Sequence, residues 1–166
     1  MVGADGLDKT WSPGTDANDL SFFDGMLDAI AMRYCIDRGR VYSYGFSVGG
    51  YFTNRLACAR GARVRASASV AGGPWNGECR DKTAAWFLHD TGDKVVPIAE
   101  GRAARDQRLA ANSCSLDAVD QGEGCVLYQE GCAAAPVVWC QTDGFSHDIR
   151  GDVAPKQVWK FFLDLQ

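Results

Sequence analysis

Histidine is scarce in this chain, with two in 166 residues, His89 and His147. The seven cysteines include no Cys-x-x-Cys pair. With so few imidazoles a zinc site is a poor fit, and neither a metal nor another cofactor is expected. Lys and Arg number 17 against 21 Asp and Glu, a formal net charge of −4. That balance gives no electrostatic reason to expect nucleic acid as a partner. No apolar run approaches the roughly 20 residues needed to span a bilayer, so no membrane partner is expected either. Met1-Val2-Gly3-Ala4-Asp5-Gly6 has neither a basic n-region nor an apolar h-region and does not read as a signal peptide. No Asn-x-Ser/Thr glycosylation triplet occurs, and no linker, low-complexity tract or internal repeat interrupts the chain.

What is present suits one folded unit. Hydrophobic residues make up 46% and charged residues 23%, enough apolar material for a core of this length, and residues 1–166 read as a single domain. The wide cysteine spacing suits structural disulfides in a secreted, extracellular protein; the alternative is buried reduced thiols. The count is odd, so one cysteine has no partner within the chain. An unpaired cysteine and no signal peptide together read as a mature or shortened chain.

Residues 1–18, rich in Gly, Asp and Pro, read as irregular. A helix is expected near 16–35, with Asp16 as N-cap, Asp19 in its first turn and Phe22, Phe23, Met26, Leu27, Ile30, Ala31 and Tyr34 at helical spacing. It should stop before Asp37-Arg38-Gly39. Val41 to Phe46 reads as a strand, Gly49 to Arg60 as a helix, and Val64 to Val70 and Ala84 to His89 as strands. Ala99 to Asn112 reads as an exposed charged helix, and Ala134 to Gln141 as a strand. The last helix, about Pro155 to Leu165, is expected to bury Val158, Trp159, Phe161, Phe162 and Leu165, with Pro155 in its first turn. Strand–helix alternation of this kind implies an α/β fold, a mostly parallel sheet flanked by helices. Segment 113–133, with Cys114, Cys125 and Cys132, reads as a disulfide-held excursion between a helix and a strand.

The sharpest motif is Gly45-Phe46-Ser47-Val48-Gly49, a G-x-S-x-G between an expected strand and an expected helix. Such a turn lifts the serine hydroxyl out of the sheet and aims the Val48 N–H, at a helix N-terminus, where an oxyanion would develop. Side chains at the −2 and +2 positions would crowd the turn. The plain alternative is a glycine-rich turn with an incidental serine. A serine hydroxyl needs a base to act as nucleophile. His147 follows the last expected strand, in Asp143-Gly144-Phe145-Ser146-His147, and completes the order nucleophile, acid, histidine. The other possibility is a surface-loop histidine. His89 ends a strand ahead of the acid candidates and reads as structural. Asp93, one short turn after that strand, is the favoured acid, with Asp90 as understudy. Asp148 adjoins His147 and cannot easily reach around to its ring.

These segments together resemble a known group. Cys35-Ile36-Asp37-Arg38-Gly39-Arg40-Val41-Tyr42, the Ser47 turn, Leu56-Ala57-Cys58, His89-Asp90-Thr91-Gly92-Asp93-Lys94-Val95-Val96-Pro97, Gly144-Phe145-Ser146-His147 and Val158-Trp159-Lys160-Phe161-Phe162 look like the polyhydroxybutyrate-depolymerase-like esterases. That group is of the α/β-hydrolase class and includes secreted feruloyl and acetyl xylan esterases of carbohydrate esterase family 1. The resemblance covers nearly the whole chain. It implies a Ser47–His147–Asp93 triad and a Cys35–Cys58 disulfide. Cys114, Cys125, Cys132 and Cys140 would pair among themselves in one of three ways, leaving Cys79 over.

Two departures shape the remaining expectations. Family members usually begin with several strands ahead of the position of Trp11, carrying a loop that gives the second oxyanion donor. This chain has no such region, so the fold is expected to be N-terminally shortened. Another loop then supplies the donor, or activity is weak, or the chain is a fragment. The strand Val41 to Phe46 would be an open apolar edge, and a homodimer is expected to cover it. The loop after His147 reads Asp148-Ile149-Arg150 and lacks the tryptophan-bearing segment of the depolymerase branch. That favours feruloyl or acetyl esters of plant cell-wall polysaccharide over aliphatic or synthetic polyesters as substrates. A non-catalytic hydrolase remnant is the reading of another class. Trp11, Phe46, Trp75 and Phe145 fall in or near the expected site loops and are candidates for a platform under a flat acyl group; ordinary packing is the alternative. Trp86, Trp139 and Trp159 are expected in the core.

Overall fold

The structure is a computed structural model that describes residues 1–12 and 18–165. The expected N-cap at Asp16 lies outside the described residues. Among the described residues, four α-helices and six strands follow one another: α1 (Asn18–Arg33), β1 (Tyr42–Phe46), α2 (Val48–Ala59), β2 (Ala66–Val70), β3 (Ala84–Asp90), α3 (Ile98–Asn112), β4 (Val119–Gly122), β5 (Cys125–Tyr128), β6 (Val137–Thr142) and α4 (Ala154–Asp164). The strands form one mixed sheet in the order β1-β2-β3-β6-β5-β4. β1, β2, β3 and β6 run parallel to one another, and β5 and then β4 are added antiparallel beyond β6. With helices flanking it, this is the mostly parallel α/β sheet expected from the sequence.

Period-2 alternation explains why β3 sits at the centre. Ala84, Trp86 and Leu88 face one way, into a cluster with Val158, Phe161 and Phe162 of α4. Ala85 and Phe87 face the other way, against Ala104 and Leu109 of α3 and Val137 and Trp139 of β6. A third cluster joins Leu20, Phe23 and Leu27 of α1 to Phe52 and Leu56 of α2. The helical spacing in α1 therefore identified the inner face, but Phe22 and Tyr34 are exposed, as is Trp159 in α4 at 57%. Residues 158, 161 and 162 of α4, with Leu165 just past its end, already fill the inward stripe, so position 159 falls on the water side. α3 is less exposed than its charges suggest, since Gly101, Ala104, Arg108, Leu109 and Asn112 are buried.

The hairpin β4–β5 occupies the segment read as an excursion, and two disulfides hold it. Cys125 faces Cys140 across β5 and β6 and bonds to it, and Cys114, just after α3, bonds to Cys132. The third bond is Cys58–Cys79, not the expected Cys35–Cys58; Cys35 is free and exposed. The physical reason is local. Cys58 is buried on α2 against α3, where Arg108 donates to its sulfur at 3.1 Å, and the 71–83 loop crosses that spot.

Candidate active site

In parallel strands the C-terminal ends open on one edge of the sheet, and loops leaving that edge converge. Here β1 ends at Phe46, paired with Val70 of β2, and β3 ends at Asp90, paired with Thr142 of β6. Ser47 follows β1 directly, Asp93 follows β3 by three residues, and His147 follows β6 by five.

Ser47 sits at φ 55, ψ −121, in the left-handed half of backbone space that a non-glycine residue rarely adopts. Its N–H donates to the Val70 carbonyl at 2.9 Å, and its own carbonyl accepts from Tyr51. Gly45 makes the sharp turn possible. A side chain there would run into the backbone of Gly49 and Gly50 in the first turn of α2. The expectation for the +2 position is corrected: a Cβ on Gly49 would meet nothing within 4 Å. The tight position is one further on, since a Cβ on Gly50 would lie 2.8 Å from Ser69 Oγ and 3.1 Å from Gly72 Cα. Val48 is the first residue of α2, so its N–H has no acceptor within the helix, and the residue is half exposed.

The geometry brings the three expected side chains together. Ser47 Oγ lies 3.0 Å from His147 Nε2, and His147 Nδ1 lies 2.7 Å from Asp93 Oδ2. An ionised carboxylate only accepts, so Nδ1 carries the proton, and Nε2 is free to accept from the serine hydroxyl. Asp93 Oδ1 accepts from the N–H groups of Val95 and Val96, both at 2.9 Å. Burial pushes the Asp93 carboxyl up, but His147 and these two amides outweigh it and hold it below the ordinary carboxylate value. The Asp93 side chain is fully buried, whereas His147 keeps some exposure to solvent.

The remaining candidates fall in several places. Asp90 does not meet His147; it receives hydrogen bonds from the backbone of the His147 loop. His89 is buried; its Nε2–H donates to the Val96 carbonyl at 2.8 Å, and Gly101 leaves room for the ring. Asp148 Oδ1 accepts from the Arg150 N–H. Phe46 lies 4.7 Å from the His147 ring, and Phe145 is half exposed under the Arg150 guanidinium, 3.5 Å from its centroid. Trp11 is elsewhere, stacked on Phe52 at 4.2 Å in the α1–α2 cluster. Trp75 is fixed by α3: its N–H donates to Gln107 Oε1 and its carbonyl accepts from Gln107 Nε2. Sequence reasoning missed Tyr51 and Glu100. The Tyr51 hydroxyl donates to Glu100 Oε2 at 3.2 Å, and burial, Glu100 and Asp93 push it up to about 12. Its place in the first turn after Ser47 was the available signal.

No family model matches the chain. In sequence it is 34% identical over 172 residues to feruloyl esterase D of Neurospora crassa, covering 95% of this chain and 59% of that protein. It is 30% identical over 176 residues to feruloyl esterase C of Emericella nidulans, covering 98% of this chain and 64% of that one. The chain thus spans about three-fifths of the length of these relatives. In structure it resembles the acetyl xylan esterase of Aspergillus awamori, with a TM-score of 0.72 and 12% identity over 93% of this chain and 73% of that one. It also resembles the Bacillus cereus carboxylesterase, with a TM-score of 0.64 and 17% identity over 95% of this chain and 67% of that one. At these identities the structural likeness shows the fold.

Proposed function

We propose that the chain is an esterase of the α/β-hydrolase class that hydrolyses carboxylic esters with Ser47 as nucleophile, His147 as base and Asp93 as the acid that orients His147. The supporting observation is the unbroken line of hydrogen bonds from Ser47 Oγ through His147 to Asp93. His147 Nε2 takes the hydroxyl proton as Oγ attacks the ester carbonyl. The tetrahedral intermediate collapses to an acyl-serine, and the same proton goes to the departing alcohol oxygen. Water then repeats the sequence on the acyl-enzyme and releases the acid. The Val48 N–H supplies one oxyanion contact; a donor of that kind is typically worth roughly 2.7–4 kcal/mol in the transition state.

Feruloyl or acetyl esters of plant cell-wall polysaccharide are the proposed substrates, supported by the names of the relatives. Phe46 and Phe145 are the proposed contacts for the acyl group. An extracellular location fits the three disulfides among the described residues. The dimer is proposed on the outer edge of β1, which has no strand partner among the described residues. Gel filtration at rising concentration should give twice the chain mass, and a constant monomer mass refutes it.

Turnover of para-nitrophenyl acetate by the wild type and by Ser47→Ala tests the reaction. We expect the variant to lose nearly all activity; equal rates would sink the proposal. Methyl ferulate against a polyhydroxybutyrate film then tests the substrate class, with methyl ferulate expected to be cleaved.

A further inference from the structure

We propose that Asp90 is a positioning residue whose carboxylate ties the loop carrying Asp93 to the loop carrying His147. The inference rests on the ester-hydrolase reading above and deepens it. Asp90 closes β3, and its register partner Thr142 closes β6. Its Oδ2 accepts from Thr142 Oγ1 at 2.9 Å and from the Phe145 N–H at 3.1 Å. Its Oδ1 accepts from the Ser146 N–H at 3.0 Å and the Gly92 N–H at 2.9 Å. Three of those donors belong to the strand end and loop that deliver His147, and Gly92 adjoins Asp93. The main chain adds two links: the Asp90 carbonyl accepts from the Asp93 N–H, and the Thr91 N–H donates to the Thr142 carbonyl.

The chemistry of the position requires a carboxylate. All four partners are donors, and only an acceptor-only group satisfies them together. An asparagine there would turn its NH₂ towards at least one of those N–H groups in either orientation. Residues 143–146 are exposed, and beside Asp90 they are tied by the Thr91 hydroxyl to Asp143, the Arg150 guanidinium over Phe145 and the Asp148 N–H to the Ser146 carbonyl. Ser146, directly before His147, sits at φ 58. A left-handed serine persists only where its surroundings over-determine it, and the bond from its N–H to Asp90 is such a restraint. Asp90 is itself buried, at 4% exposure, so its bonds compete little with water. Neither its carboxylate nor its carbonyl touches the His147 ring, so it acts through the two loops. Asp93 then serves the imidazole and Asp90 serves the backbone that delivers it.

The test has two arms. In the wild type, amide hydrogen exchange should show Phe145 and Ser146 strongly protected, although their neighbour Gly144 exchanges freely. Exchange at all three with one fast rate overturns the inference, with no variant needed. In the second arm, Asp90→Asn is assayed on para-nitrophenyl acetate beside the wild type and Ser47→Ala. A misplacement of the base by about 1 Å costs on the order of 10²-fold, so kcat should fall by about that factor with KM little changed. A residue of purely structural importance would lower the melting temperature and leave the kcat of the folded enzyme alone, and that result also overturns the inference. If wild type and Ser47→Ala hydrolyse equally, the esterase reading fails. The exchange arm then still decides whether Asp90 holds the loop.

Discussion

Gly45 carries the tightest steric demand at the turn. Its missing side chain lets the first turn of α2 lie directly on the end of β1, which is how Ser47 reaches its left-handed conformation. Gly45→Ala must push the Gly49 backbone away. Overpacking of that kind costs about 1–3 kcal/mol, so we expect a lower urea midpoint in equilibrium unfolding. Activity should fall further than stability, because the same shift moves Ser47 Oγ off His147. A variant with wild-type midpoint and rate would show that the contact is relieved cheaply. Asp93→Asn tests a different demand. Its shape is kept, but the amide can no longer fix the proton on His147 Nδ1. Loss of the correct tautomer costs roughly 10⁴-fold in kcat in the template Ser-His-Asp enzymes. We expect a loss of that order here, read from steady-state kinetics, with the melting temperature changed far less. The order and loop context of Ser47, Asp93 and His147 could be read from sequence because each lies within a few residues of the end of a strand. Chain position ranked Asp93 above Asp90, but the four donors converging on Asp90 are a three-dimensional fact with no sequence signature.

At the scale of elements, legibility followed apolar patterning. β1, β2, β3 and β6 and all four helices lie within a few residues of their expected positions, the helices through apolar spacing and the strands as short apolar or β-branched runs. β4 and β5 were both missed inside the segment read as an excursion; Val119, Asp120, Gln121 and Gly122 of β4 are all exposed and show no alternation to read, and β5 is only four residues long. The usable clue was Gly122-Glu123-Gly124, where all three residues have positive φ, a turn between two short runs. Disulfide pairing was legible only as a constraint on numbers. The family resemblance paired Cys35 with Cys58 and left Cys79 over, whereas the path of the 71–83 loop across α2 gives Cys58 to Cys79. The Cys114–Cys132 bond gives this region its own prediction. It closes a loop of 18 residues between the end of α3 and the segment after β5. Cross-links of this span contribute about 3 kcal/mol, mainly by restricting the unfolded chain. Replacing both cysteines by serine should lower unfolding free energy by about that amount, measured in urea, while esterase activity at low temperature stays near wild type. A large loss of activity in the folded variant would mean that the hairpin reaches the site.

For the molecule as a whole, the site and acid stability are linked through two buried carboxylates. Asp90 and Asp93 lie at the edge where loops after β3 and β6 meet, and both are held below their ordinary value. In each case burial raises the value, but hydrogen bonds lower it more: from Gly92, Phe145, Thr142 and Ser146 for Asp90, and from His147, Val96 and Val95 for Asp93. In the unfolded chain both groups titrate near 3.9, as ordinary aspartates do. A group whose folded value is depressed binds its proton less readily when folded. Its contribution is therefore fully present above about pH 4 and is lost as pH falls through the lower, folded value. Unfolding free energy should thus be nearly flat from neutral pH down to about 5 so far as these two groups decide it, then fall steeply below about 4. Asp90→Asn removes one of the two titrations, so the acid-side slope of urea midpoint against pH should be shallower, although the variant starts from a lower midpoint. Equal slopes in wild type and variant would mean that surface carboxylates, not this pair, drive acid unfolding. The same protonation would release the His147 loop, so activity lost in this acid range should return on neutralisation only as fast as the two loops re-form.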